Sequence, residues 1–215
     1  GNRQVTADAL GPRVADRLFI NRHIILEFGA AAYNRKKMNR VSCLVPGVMA
    51  QTGMESAEIV RGVVKETKPD LVVAVDALAA RSTKRLNRTI QVTDTGINPG
   101  SGVGNHRHAL DEKSLGVPVI SIGVPTVVDA ATIVNDTMYN LVTALTQSQA
   151  FAAMGNSLEK LNDAEKYELI RELLSPNLNA MFVTPKDIDE SVKRLCYTIS
   201  EGLNLAFAGG CLHAL

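Results

Sequence analysis

The chain has 215 residues, 46% of them hydrophobic and 21% charged, with a formal net charge of +1. A chain of this length buries about 70% of its unfolded surface, which excludes disorder and collagen-like repeats, and its balanced charge exerts no general pull toward nucleic acid or anionic lipid. No apolar run approaches the ~20 residues of a bilayer span, the longest being short stretches such as 71–75.

In chain order, Gly11-Pro12 followed by Val14, Leu18 and Ile25 predicts an amphipathic helix over 11–24, with proline in its first turn. A basic loop over 35–40 leads to an apolar run at 41–45 that Pro46-Gly47 stops, which predicts a strand. Residues 52–55 have capping-box spacing, and Met54, Ile59, Val60, Val63 and Val64 share one helical face until Lys68-Pro69-Asp70 ends it. Residues 71–75 are apolar throughout, as in a central parallel strand covered on both faces, and put Asp76 at the strand's carboxyl end. Strands are expected at 89–92 and 117–122, then helices at 127–146, 157–174 and 186–207, with Pro176 and Pro185 as breaks. This alternation predicts one α/β domain over 1–215, three-layered, with a mostly parallel sheet and a helical C-terminal portion. Cys43, Cys196 and Cys211 are widely spaced and form no CxxC pair, as expected of reduced structural thiols in a cytosol-like compartment.

Ligands of open parallel sheets bind beyond the carboxyl ends of the strands, so Asp76 is a candidate site residue. It is equally suited to cap a helix begun by Ala77–Ala80. Asp8, before Leu10-Gly11-Pro12, presents the same choice between site and cap. Two carboxylates brought together could share a proton, one acting as base toward water and the other as acid toward a leaving amine, or could bind a divalent cation through oxygen. Asp129, after the strand at 117–122, is a third candidate that also fits a helix start. The stretch 94–105 is glycine-rich, and its Gly100, Ser101 and Gly102 could offer backbone N–H groups to an oxyanion, phosphate or peptide. It lacks both the Walker A and the GxGxxG spacing. His106 and His108 read as solvent-facing, and no HExxH or GxSxG pattern supports a zincin or a serine triad.

These motifs together resemble the germination protease family of spore-forming bacteria. The resemblance rests on Thr-Ala-Asp-Ala-Leu-Gly-Pro at 6–12, Pro-Gly-Val-Met at 46–49, the run from Lys68 to Ser82, the glycine-rich run 94–105, Gly-Val-Pro-Thr-Val-Val-Asp-Ala at 123–130, Leu-Ser-Pro at 174–176 and Val-Thr-Pro-Lys at 183–186. It implies an endopeptidase that degrades small acid-soluble spore proteins in the cytoplasm of the spore core, made as a zymogen with a propeptide, assembled as a homotetramer, and similar in fold to hydrogenase-maturation proteases. The family's two essential aspartates fall on Asp8 and Asp76. The chain departs from the pattern in starting within the Gly-x-Gly-Asn turn at Gly1-Asn2, without the preceding strand and propeptide, in having Ala7 where proline is expected, and in a shortened connection around 146–151. Three other readings remain at this stage: a metal-dependent processing peptidase with the ion on Asp8 and Asp76, a phosphate- or nucleoside-binding protein without protease activity, and a scaffold that binds spore protein without cleaving it. None of them involves direct nucleic-acid or membrane binding.

Overall fold

The computed structural model describes residues 1–100, 108–159, 162–174, 178 and 180–208. The chain divides into two compact units, one of Gly1–Ala77, Ile90–Gly123 and Asp187–Leu215, the other of Leu78–Thr89 and Val124–Lys186. Strands β1 (Val72–Ala80), β2 (Gln91–Thr93), β3 (Val119–Asp129) and β4 (Phe182–Val183) form one sheet, in which β3 lies between β1 and β2 and also pairs with β4. The fold is α/β, as the alternation predicts. The sheet is mixed rather than mostly parallel, because β2 and β4 both run antiparallel to β3, with Val92 opposite Ile122 and Val128 opposite Val183.

The first unit holds α1 (Leu10–Ala15), α2 (Arg22–Phe28), α3 (Met49–Thr52), α4 (Ser56–Thr67), α5 (Glu112–Leu115) and α9 (Ile188–Ala208). Helix α9 buries Ile188, Val192, Cys196 and Ile199 at helical spacing, and α1 packs on it through buried Leu10 and Val14. Each such side chain stabilises the fold by about 1.5–3 kcal/mol. The helix expected over 11–24 is broken in two. Asn21, fully buried, explains the break: its Oδ1 accepts from Val41 N at 2.7 Å, its Nδ2 donates to Asn39 O at 3.0 Å, and its own N–H donates to Val41 O. These bonds also occupy the backbone of Val41, and 41–45 is not part of a strand. The capping box of α4 is Glu55 with Glu58, three residues beyond the Thr52 start that the spacing suggests.

The second unit contains α6 (Ala130–Thr146), α7 (Ala152–Glu159) and α8 (Asp163–Leu173), with α7 and α8 both packed on α6. Two expected boundaries move here. β1 continues to Ala80, so the alanines after Asp76 extend the strand although their intrinsic preference is helical. β3 runs through buried Pro125 to Asp129; the proline has no N–H to give a ladder, but its carbonyl accepts from Asn87 N at 2.7 Å. The turn after β1 is fixed by Asp136 of α6, whose Oδ2 accepts from Ser82 Oγ, Thr83 N and Thr83 Oγ1 at 2.6–3.2 Å. No helix among the described residues is long and apolar enough to cross a membrane.

Candidate active site

Asp76 is an interior residue of β1, not its last, and it does not cap a helix. Its side chain is 18% exposed. Asp8 closes a 3-10 turn, Thr6–Asp8, immediately before α1. It does not cap either: the N-cap of α1 is Ala9, with no side-chain capping bond. Both aspartates are therefore free of the local roles that compete with a site role in the sequence.

The Gly1-Asn2 segment and α1 bring these two carboxyls together. Asn2 N donates to Asp8 Oδ2 at 2.6 Å, and Gly1 N lies 3.7 Å from Asp76 Oδ1. A side chain at Gly1 would collide with the Asp8 carbonyl oxygen and stand 3.2 Å from Asp8 Oδ1. From the other side, Gly11 sets α1 directly against β1: a Cβ there would lie 2.6 Å from the carbonyl oxygen of Val75, the residue before Asp76. Thr6 Oγ1 donates to Asp189 Oδ1 at 2.9 Å and ties the Asp8 turn to α9.

Burial pushes the Asp76 carboxyl above the ordinary aspartate range, and the negative charge of Asp8 adds to it. The result is a carboxyl disposed to hold a proton, Asp76, with a second carboxyl beside it. Such an arrangement can deliver a proton from one side of a reacting group while the other side accepts one. As a cation site the pair offers two carboxylates, one of which already accepts from Asn2, and no cluster of three or more His, Cys, Asp or Glu that could hold a metal ion occurs among the described residues.

The remaining candidates fare differently. Gly100 belongs to the first unit and adopts φ +77°, a conformation that favours glycine. Ser101 and Gly102, with the rest of 101–107, lie outside the described residues. Asp129 takes its helix-start role: its Oδ1 accepts from Thr132 N at 2.6 Å as the N-cap of α6, and its Oδ2 accepts from Tyr167 Oη at 3.3 Å. His108 Nδ1 pairs with Glu55 Oε2 at 2.9 Å.

A profile of the family described as germination protease matches residues 1–150 and 143–212. The chain belongs to the germination protease family. It is 49% identical over 215 positions to the germination protease of Caldanaerobacter subterraneus subsp. tengcongensis, covering 98% of this chain and 64% of that protein. The germination protease of Clostridium perfringens strain SM101 is 44% identical, with 96% and 63% covered. That of Bacillus subtilis strain 168 is 42% identical over 241 positions, with 96% and 64% covered. The chain thus spans a little under two thirds of the length of these relatives. The germination protease motifs at 6–12 and 68–82 are those that carry Asp8 and Asp76. Sequence reasoning passed over the parts of Gly1, Asn2 and Gly11 in this candidate site, although glycines flanking an acidic residue are the signal of close backbone approach.

Proposed function

We propose that this chain carries the catalytic centre of an endopeptidase that cleaves small acid-soluble spore proteins during germination, with Asp8 as base and Asp76 as acid. The observation that carries this reading is the pairing of Asp8 with a half-buried Asp76 whose proton affinity is raised by burial and by its neighbour. In the proposed step, water between the carboxyls gives one proton to ionised Asp8 and its oxygen attacks the scissile carbonyl carbon. The tetrahedral intermediate collapses as Asp76 protonates the amide nitrogen and the C–N bond breaks. A proton passed from Asp8 to Asp76 restores the starting state. Backbone N–H groups near Gly100 are candidates to hold the oxyanion.

The test is incubation of the purified protein with an α/β-type small acid-soluble spore protein, followed by mass-spectrometric mapping of fragments, with Asp8→Asn and Asp76→Asn alongside and with a chelator in a parallel arm. Discrete fragments that vanish in both variants and persist with chelator support the two-aspartate reading. Full cleavage by either variant refutes it, and loss of cleavage with chelator alone favours the metal-dependent alternative.

A further inference from the structure

In the first unit, a cleft of about 520 Å³ is lined by Arg13, Asp16, Arg17, Lys193 and Cys196, where α1 packs on α9. Arg13 lies in α1 and Arg17 in the turn just past its end, while Lys193 and Cys196 are three apart on α9 and share a face. The acid in this lining, Asp16, is already engaged by both terminal nitrogens of the Arg3 guanidinium. Cys196 donates its Sγ–H to Leu10 O at 3.4 Å, and burial pushes its thiol up to about 11, so it adds no negative charge. Lys193 has Glu190 at 3.9 Å, an exposed and loose pair of little energetic weight. The Arg17 guanidinium lies 5.9 Å from the Tyr197 ring, which orients it. Neither Arg13 nor Arg17 pairs with a carboxylate among the described residues.

Three cations therefore line a cleft whose own anion is spoken for. We propose that this cleft binds the phosphate group of a small phosphorylated molecule, with Arg13, Arg17 and Lys193 as its ligands. Two guanidinium forks and an ammonium match a group presenting three charged oxygens, whereas a lone carboxylate would leave one fork unsatisfied. The cleft is larger than a bare phosphate fills and so leaves room beside the cations for the group that carries the phosphate. The site uses no residue of the glycine-rich stretch in which the sequence alone suggests anion binding, and it is independent of the peptidase reading. Because the cleft joins α1 to α9, its occupancy stabilises the folded chain.

Thermal unfolding of the full chain titrated with inorganic phosphate and with AMP, against sodium chloride at matched ionic strength, tests this. Both ligands should raise Tm saturably, AMP with a half-saturating concentration at least about threefold lower, and Arg13→Gln/Arg17→Gln should raise both midpoints by about tenfold or more, as loss of charge-assisted bonds predicts. Lys193→Gln, at an exposed position, should raise them several-fold and serves if the double variant does not fold. Equal midpoints for the two ligands would overturn the small-molecule part and assign the site to free phosphate. A shift no larger than that of chloride, or one unchanged in these variants, would overturn the site itself.

Discussion

Gly11→Ala tests how the fold sets the spacing of the two aspartates. The new Cβ would lie 2.6 Å from the Val75 carbonyl oxygen and must retreat by about 0.8 Å to reach the 3.4 Å of ordinary contact. The obstacle is backbone of a paired strand, so α1 must give way, and Asp8 stands at its entry. Overpacking of this kind costs about 1–3 kcal/mol. A catalytic group displaced by about 1 Å loses on the order of a hundredfold in rate. Urea unfolding and kcat/KM for spore-protein cleavage, measured on the same preparation, should therefore fall together. The Asp76 pH profile should shift toward that of an ordinary aspartate as Asp8 moves off. A Gly11→Ala protein within about twofold of the parent kcat/KM would refute the claim that close packing of α1 on β1 sets the site, since the expected loss is far larger.

Asp76→Asn should abolish cleavage yet raise Tm near neutral pH. The folded pKa of Asp76 is raised by burial, so its contribution is fully present below the unfolded value of about 3.9 and is lost as pH rises through the folded one; the variant's advantage should vanish in acid. Asp136 behaves oppositely. Burial works against its charge, but bonds from Thr83 and Ser82 outweigh burial and hold its carboxyl below the ordinary range. Its stabilisation is present above that range and lost as pH falls through the folded value, and Asp136→Ala should cost about 1.5–3 kcal/mol at neutral pH by urea denaturation. Asn21→Ala leaves the Val41 N–H and the Asn39 carbonyl without their side-chain partner. A loss of about 1–3 kcal/mol is expected, with faster hydrogen exchange at Val41.

Much of this was legible in the sequence wherever a local pattern dictates the outcome. Periodicity locates α4, α6 and α9, and the motifs around Asp8 and Asp76 single out the carboxyls that the fold brings together. What escaped local reading depends on distant partners. Asp76 lies inside β1 because the neighbouring strand overrides the helical preference of Ala77, Ala79 and Ala80. The strand expected to end at 122 runs on to Asp129 through Pro125, whose carbonyl is used by Asn87 from outside the strand. The division of the first helix comes from Asn21 reaching forward to Asn39 and Val41, contacts that no helical periodicity contains. The site shows the same limit, since Gly11 matters through Val75 and Asn2 through Asp8, both pairings that exist only after folding.

The most direct test of the central claim, that Asp8 and Asp76 act as one coupled acid–base pair, is titration of the Asp76 carboxyl carbon by NMR in the parent chain and in Asp8→Asn. The account predicts that Asp76 titrates above the ~3.9 of a free aspartate and that its midpoint falls when the charge of Asp8 is removed. An Asp76 that titrates as a free aspartate, with the same midpoint in Asp8→Asn, would contradict it.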